Sequence, residues 1–140
     1  MTIQIRGFTE KDLPILVRLL NETYRESYEF MPYTLDSLGA WIKEGMLKIL
    51  IAQDKDEILG SAAYRDGHWG EEIEWLTVPK RPNRKIIENE LVTEVEKYVK
   101  GQTVFTVVDE GSPKIKEWIE RGYKPEGGLY HMVSRLDGSK

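Results

Sequence analysis

The sequence contains no cysteine and only two histidines, His68 and His131, among its 140 residues. A disulfide and a cysteine nucleophile are therefore excluded, and the two histidines lack the spacing of metal ligands, so we expect no metal site. Long apolar runs are missing too. No stretch approaches the roughly 18 apolar residues of a membrane span, and residues 1–12 have no apolar signal core. We expect a cytoplasmic protein without a membrane partner.

An excess of positive charge is also missing. Lysine and arginine number 20 against 24 aspartates and glutamates, which gives a net charge of −4. Without a basic field over the surface, we expect no nucleic-acid partner. The length and the 40% hydrophobic content suit a single core, so we predict one domain that spans residues 1–140.

The most informative stretch is residues 71–98, in which a strand pattern is followed by a helix pattern. Residues 73–78 interleave Ile73, Trp75 and Thr77 with other residues in the manner of a strand. From about residue 84, apolar residues recur at helical spacing, namely Ile87, Leu91, Val95 and Tyr98. The two patterns predict a strand that leads through a short turn into a partly buried helix.

The turn between them is strongly basic. It contains Lys80, Arg81, Arg84 and Lys85, and Asn83 is the natural N-cap of the helix. A helix N-terminus carries partial positive charge, so each nearby cation costs about 0.3–1 kcal/mol. That cost is understandable if the cations and the backbone N–H groups together hold a phosphate or pyrophosphate. The alternative is a solvated basic turn, offset by glutamates further along the helix.

Two helices are predicted near the N-terminus. Residues 2–6 alternate as an opening strand, and Thr9 then caps a helix with an apolar stripe that ends at Tyr24. A second helix over residues 34–44 should bury Trp41.

Strands dominate the rest of the chain. Three strand-like runs separated by hairpin turns predict an antiparallel meander over residues 47–53, 57–64 and 69–78, with one turn at residues 66–67. Residues 103–108 predict a strand buried on both faces, and the strand–helix–strand order makes the fourth and fifth strands parallel neighbours. A last helix opens at Pro113 with Trp118 inside, and residues 129–136 predict a closing strand.

The strand, turn and helix of residues 71–98 resemble the acetyl-coenzyme A motif of the GNAT superfamily of N-acetyltransferases, V-x-P-x-x-R-G-x-G-I-G-x-x-L. When the motif is laid on without a gap, Val78, Ile87 and Leu91 fall on family positions. At the phosphate-binding positions, Asn83 stands at the family's arginine, and its glycines are replaced by Arg84, Ile86 and Glu88. The first strand and helix and the C-terminal tail also resemble the family, so the resemblance covers nearly the whole chain.

The resemblance implies an α/β (α+β) fold. The expected architecture is a mixed, mostly antiparallel sheet of six to seven strands, flanked by about four helices, with a parallel pair formed by the fourth and fifth strands. It also implies acetyl-CoA as the acyl donor, held by the strand end and the turn. The implied binding residues are Leu76, Thr77, Val78, Arg81, Asn83, Arg84, Lys85, Ile86, Ile87 and Glu88.

Acetyl transfer from a thioester to an amine needs a base, an oxyanion stabiliser and a proton for the thiolate. Glu72 and Glu74 share one face of the predicted strand, and like charges so close would raise the pKa of one of them. Either would suit a base, and family members often place one on this strand. The alternative is a solvated edge that faces lysine or arginine on the next strand. Backbone N–H groups around Thr77 and Val78 would polarise the thioester carbonyl.

The usual proton donor of the family is a tyrosine on the last helix, and Trp118 stands at its place. An indole cannot supply that proton. Tyr130, together with Tyr123, is the nearby candidate, although both residues also suit a place in the core or the sheet.

Aromatic residues cluster before the second helix. Tyr28, Phe30 and Tyr33 either cap the edge of the core or line an acceptor pocket. The resemblance implies the pocket, because this region of the family commonly borders the acceptor, and Glu29 would suit a cationic amine. We therefore predict Tyr28, Glu29, Phe30 and Tyr33 as substrate-binding residues.

These features predict an enzyme, an acetyl-CoA-dependent N-acetyltransferase that acts on a primary amine of a small molecule or a protein. We expect a monomer or a homodimer. The replaced glycines and Trp118 leave one alternative, which is a catalytically inactive GNAT-fold module that binds coenzyme A or a protein partner.

Overall fold

A computed structural model describes residues 2–25, 32–44, 47–67, 70–109, 111–126 and 131–135, the last range as backbone only. These residues form seven strands, four α-helices and a 3₁₀ turn at Glu10–Asp12. In chain order, the strands and α-helices are β1 Gln4–Gly7, α1 Leu13–Tyr24, α2 Leu35–Lys43, β2 Leu47–Asp54, β3 Glu57–Gly67, β4 Gly70–Thr77, α3 Arg84–Glu96, β5 Thr103–Val107, α4 Lys114–Glu120, β6 Lys124–Pro125 and β7 His131–Arg135.

The strands form one sheet in the order β1-β2-β3-β4-β5-β7-β6. Neighbouring strands are antiparallel except β4 and β5, which are parallel and are connected by α3. This confirms the predicted fold class, including the parallel pair that follows from the strand–helix–strand order.

Helices cover both faces of the sheet and divide the core into two clusters. On one face, α3 buries Ile87, Leu91 and Val95 completely, as their helical spacing predicts. On the other face, α1 and α2 bury Leu16 and Leu38 to the same extent. Each such side chain stabilises the fold by about 1.5–3 kcal/mol. Because helices cover both faces of the sheet, the fold leaves room for cavities at strand ends and in gaps between strands.

Three details of the predicted elements are wrong. Strand β5 is not buried on both faces, because Val107 is 48% exposed at a gap between β4 and β5. The turn expected at residues 66–67 belongs to β3, which continues its ladder with β4 up to Gly67. Trp41 is 47% exposed, and its ring lies tilted against that of Trp75 instead of in the core.

Candidate functional site

Strand β4 carries a β-bulge near its C-terminal end. Its pairing with β3 passes from Ala63–Glu74 to Ser61–Thr77, so β4 has one residue more than its partner between these pairs. Trp75 lies within this stretch at φ +54°, a left-handed conformation that costs a non-glycine residue about 1–3 kcal/mol. The bulge redirects the end of β4 relative to the regular ladder.

Gly60 of β3 makes room for the redirected end of β4. A Cβ atom at this position would lie 2.6 Å from the carbonyl oxygen of Thr77 and 2.7 Å from Cγ2 of Val78. Real Cβ atoms do not approach backbone oxygen so closely. A side chain at position 60 would therefore push the bulged end of β4 away from β3.

A gap opens between β4 and β5 beside the bulge. Over their described lengths the two strands share one register pair, Glu72 with Phe105, and the Thr106 hydroxyl donates a 2.9 Å hydrogen bond to the Ile73 carbonyl. We call the gap the β4–β5 cleft. It is a cavity of about 210 Å³ lined by Tyr24, Tyr33, Glu72, Ile73, Glu74, Trp75, Leu76, Thr106, Val107, Lys114 and Trp118.

Glu72 and Glu74 both line the β4–β5 cleft, but they differ in their surroundings. A guanidinium nitrogen of Arg65, on β3, lies 3.3 Å from the Glu74 carboxylate. The pKa of Glu72 is raised to about 8, first by burial and then by the negative charge of Glu74, while Arg65 opposes the change. The interpretation as an edge paired with a cation therefore describes Glu74, and Glu72 exchanges its proton near pH 8.

Two tyrosines form an aromatic wall of the cleft. Tyr33, a predicted substrate-binding residue, has its ring edge-on to that of Trp75 with centroids 5.9 Å apart. Its backbone is fixed because its N–H donates to Asn21 Oδ1 at 2.7 Å and its carbonyl accepts from Asn21 Nδ2 at 3.0 Å. Burial is the largest cause of the raised pKa of Tyr24 and of Tyr33, so both phenols are neutral at physiological pH.

A second cavity, which we call the basic cavity, adjoins the cleft at the turn between β4 and α3. It has a volume of about 570 Å³ and is lined by Leu19, Glu22, Thr23, Val78, Pro79, Lys80, Arg81, Pro82, Arg84, Lys85 and Lys114. The four cations of the predicted phosphate-binding turn thus line one cavity. Lys114 lines both cavities, so the two adjoin at this residue.

Three of the turn cations are held in ion pairs. The pairs are Arg81 with Glu57 at 2.8 Å, Arg84 with Glu117 at 2.6 Å, and Lys85 with Glu120 at 2.9 Å. These three partner glutamates come from β3 and α4. Arg84 also lies 3.7 Å from Glu88 of α3, one of the glutamates that the solvated-turn interpretation expected further along the helix. Exposed ion pairs contribute only about 0–1 kcal/mol, so a phosphate group can replace the partners of the more exposed cations at little cost.

The predicted cofactor-binding residues fall into two groups. Val78, Arg81, Arg84 and Lys85 line the basic cavity, and Leu76 lines the cleft. Within the described part of the chain, the side chains of the others line neither cavity, and these residues are Thr77, Asn83, Ile86, Ile87 and Glu88.

Three side chains of this second group point elsewhere. Ile86 is 58% exposed, so the β-branched residue at a glycine position does not fill the basic cavity. Glu88 is 1% exposed and lies 3.7 Å from Arg84 and 3.6 Å from Arg121, and burial raises its pKa. Thr77 is buried, and its hydroxyl donates to the Leu19 carbonyl at 3.0 Å. Any cofactor contact of these three residues would therefore be made by the backbone.

Four predicted site residues, Tyr28, Glu29, Phe30 and Tyr130, lie outside the described residues. The described ranges contain no group of side chains arranged to hold a metal ion. None of the helices within them is long and apolar enough to span a membrane.

Sequence reasoning missed several residues of the cleft, among them Tyr24 and Lys114. Tyr24 was predicted only as the end of a buried helical stripe, and Lys114 had no predicted role. A signal existed for Lys114, because it precedes Trp118 by four residues and therefore shares its face of α4.

Comparison with known proteins gives matches at the level of structure only. No protein-family profile matches the sequence, and no curated protein matches it significantly. A ribosomal-protein-alanine N-acetyltransferase from Brucella melitensis is 18% identical, with a TM-score of 0.75 over 95% of this chain and 99% of that one. The PaiA N-acetyltransferase from Thermoplasma acidophilum, solved in complex with coenzyme A, is 19% identical, with a TM-score of 0.77 over 97% and 100%.

A third solved structure, apo FdhC, is described as a nucleotide-linked sugar GNAT. It is 16% identical, with a TM-score of 0.70 over 96% of this chain and 86% of that one. At such identities the likeness concerns the fold, and the acceptor of each neighbour belongs to that neighbour.

Proposed function

We propose that this chain, whose fold is that of the GNAT superfamily of N-acetyltransferases, transfers an acetyl group from acetyl-CoA to a primary amine. One observation carries the proposal: a basic cavity of about 570 Å³ shares the lining residue Lys114 with a cleft in which Glu72 has a pKa of about 8. The first cavity suits the charged tail of the donor. The second suits the removal of a proton from the amine.

The basic cavity would hold the donor by its pyrophosphate. Lys80 and Lys85 supply positive charge to its lining, and the N-terminus of α3 adds backbone N–H groups and a favourable dipole. The structural neighbour from Thermoplasma acidophilum was solved with coenzyme A. Since the two cavities meet at Lys114, the thioester end of the donor would extend from the basic cavity into the β4–β5 cleft.

Glu72 would act as the general base. A primary amine is protonated at neutral pH and must lose a proton before its nitrogen can attack. A carboxylate with a pKa of about 8 is a much stronger base than an ordinary glutamate, and it receives the proton directly or through one water. Glu74, paired with Arg65, places a second carboxylate in the cleft, which favours a cationic acceptor.

The bulge of β4 would supply the hydrogen bond that polarises the thioester carbonyl. A bulged residue lacks a ladder partner, so the backbone beside Leu76 offers an N–H to the thioester carbonyl. The amine nitrogen then bonds to the carbonyl carbon, and the carbon–sulfur bond breaks.

The acceptor is proposed to be a primary amine of a small molecule or a protein. The cleft offers two carboxylates and an aromatic wall, which together favour a cationic amine. A suitable panel is a peptide with N-terminal alanine, glucosamine and cadaverine. These cover a protein terminus, an amino sugar and a flexible diamine.

The test measures thiol release from acetyl-CoA with each amine of the panel, and mass spectrometry identifies the acetylated product. We expect product from at least one amine and none without protein. A panel that yields no product from the wild-type chain, at protein concentrations that bind acetyl-CoA, would contradict the transferase.

The donor site is tested separately by calorimetry with coenzyme A. The double variant Lys80→Glu/Lys85→Glu should bind at least about tenfold more weakly, or about 1.4 kcal/mol. The control, Lys11→Glu/Lys43→Glu, makes the same charge change at exposed lysines outside both cavities and should keep the wild-type affinity. Equal affinity for both variants would place the phosphates elsewhere.

A second candidate is a module that binds coenzyme A without catalysis. The observation in its favour is Trp118, which is 3% exposed and lines the cleft at the place where the resembled family carries a tyrosine. Coenzyme A binding without product from any amine would support this module over the enzyme.

A further inference from the structure

We propose that Lys114 donates the proton that the departing coenzyme A thiolate requires, a role that rests on the proposed transferase function. The observation behind it is that Lys114 is the one residue, among those described, that lines both the basic cavity and the β4–β5 cleft. A thioester that reaches the cleft from the basic cavity would lie beside Lys114.

Its position on α4 brings Lys114 to the leaving group rather than to the acceptor. It is the first residue of α4, and Trp118 follows one turn later on the same face. Trp118 lines only the cleft, whereas Lys114 also reaches the basic cavity. Lys114 therefore lies on the donor side of the cleft, and the glutamates of β4 line the cleft alone.

The ammonium of Lys114 is available for proton transfer. No carboxylate among the described residues lies within ion-pairing distance of it. The charged groups that act on it are Arg84 and Glu88 from α3, Glu117 from α4 and Arg121 directly after α4, and Glu72 and Glu74 line the same cleft. Burial lowers the pKa of Lys114, the arginines add to this, and Glu88 and Glu117 oppose it. A lowered pKa makes the ammonium a better acid than a solvated lysine.

The tyrosines near the cleft are poorer donors. Burial raises the pKa of Tyr24 and Tyr33, so each phenol holds its proton more tightly than usual. Tyr123, a candidate from the sequence, donates its hydroxyl hydrogen to Glu96 at 2.7 Å and lines neither cavity. Among described residues that line the cleft, Lys114 is thus the acidic group whose pKa is shifted in the useful direction.

Two proton transfers accompany the exchange of bonds at the acetyl carbon. The acceptor ammonium first loses one proton through Glu72 to water. The neutral amine nitrogen then bonds to that carbon, and a second proton passes from the nitrogen to the Glu72 carboxylate. The carbon–sulfur bond breaks, both electrons leave with sulfur, and the thiolate takes a proton from the Lys114 ammonium. The products are the amide and coenzyme A with a free thiol. Glu72 then returns its proton to water, and the neutral Lys114 amine takes one from water.

The experiment compares Lys114→Gln, Lys114→Arg and the control Lys116→Gln by steady-state kinetics with acetyl-CoA and whichever panel amine the wild type acetylates. Arginine keeps the positive charge but cannot give up a proton at working pH. We expect kcat to fall at least tenfold in both Lys114 variants, with the KM for acetyl-CoA of Lys114→Arg within threefold of wild type. The exposed Lys116 should show no change. Thermal melts report on folding of all three variants.

Three other kinetic outcomes would contradict the proposed role of Lys114. Wild-type kcat in Lys114→Arg, with a raised KM in Lys114→Gln, would mean that Lys114 only binds phosphate by its charge, and the inference would be wrong. Unchanged kinetics in both Lys114 variants would also overturn it while leaving the transferase intact. A wild-type chain that acetylates no amine would overturn both proposals, so the two failures are distinct.

Discussion

The pKa values of two carboxylates, buried Asp12 and half-buried Glu72, are shifted in opposite directions. Asp12 accepts from both terminal nitrogens of Arg6, at 2.8 and 2.9 Å, and from the backbone N–H of Thr9 at 2.8 Å. These donors, Arg6 first, lower its pKa to about 2. Glu72 has the carboxylate of Glu74 beside it, and burial raises its pKa to about 8.

The contrast shows that the surroundings of a carboxylate decide whether it serves structure or chemistry. A carboxylate that is surrounded by donors stays ionised and fastens the first strand to the first helix. A carboxylate that is buried without enough donors holds a proton near neutral pH and can exchange it. Substitutions at or beside the two carboxylates can break this division, and the largest effect is expected at Glu72.

Glu72→Gln keeps the shape of the side chain and removes the base. We expect kcat/KM for acetylation to fall about 100-fold or more, the usual contribution of a general base. In the wild type, the rate should rise as the pH passes through about 8 because the base form of Glu72 accumulates there. The variant should lose this rise. Glu90→Gln, an exposed change on α3, is the control, and full activity of Glu72→Gln would assign the base elsewhere.

Gly60→Ala tests whether the bulged backbone of β4 maintains the site of Glu72. The added Cβ would meet the Thr77 carbonyl oxygen at 2.6 Å, so we expect a loss of about 2–3 kcal/mol in the free energy of unfolding, measured with urea. Gly7→Ala is the matched control, since a methyl group added there would have nothing within 4 Å. Its free energy of unfolding should therefore decrease only slightly. Equal losses would mean that the close approach at Gly60 is not needed.

Asp12→Asn tests the structural member of the comparison. The folded pKa is lowered from 3.8 to about 2, so the stabilisation is present above pH 3.8 and is lost as the pH falls through about 2. At 1.36 kcal/mol for each pKa unit, we expect the free energy of unfolding to fall by about 2 kcal/mol at pH 7. The decrease at pH 2 should be much smaller. Urea unfolding at both pH values measures it, and a loss independent of pH would contradict the ionic cause.

The smallest effect concerns stability at alkaline pH. Because the folded pKa of Glu72 is raised from 4.5 to about 8, its contribution is fully present below pH 4.5 and is lost as the pH rises through about 8. Glu72→Gln should abolish this loss of stability. At pH 9 the free energy of unfolding of the variant should exceed that of the wild type by about 1 kcal/mol, a modest difference because Glu72 is partly exposed. A wild type that does not weaken between pH 5 and pH 9 would contradict the raised pKa.

Much of the fold could be predicted from the sequence because its signals are local. The helical spacing of Ile87, Leu91 and Val95 places α3, and all three side chains are completely buried. The order of β4, α3 and β5 is enough to make the two strands parallel, since a crossover connection has one favoured hand. The crowding of Lys80 and its neighbours likewise marks the turn that lines the basic cavity.

The remaining features depend on contacts between distant segments. The sequence around Trp75 does not indicate that this residue adopts φ +54°, because the pairing of β4 with β3 imposes the conformation. Arg84 meets Glu117, which lies 33 residues away, and no local pattern indicates that pair. The choice between Glu72 and Glu74 likewise depends on Arg65 of the neighbouring strand. The site is thus less visible in the sequence than the fold that supports it.

The single register pair between β4 and β5 also bears on how the molecule opens. Strand β2 is paired along both edges, with β1 and with β3, whereas β5 shares with β4 the single register pair Glu72–Phe105 and the side-chain bond from Thr106. Local opening follows the regions with the fewest interlocking bonds. In deuterium exchange, the backbone amides of β2 should therefore be released only when the whole chain unfolds, and those of β5 should be released earlier, through partial detachment of the C-terminal strands.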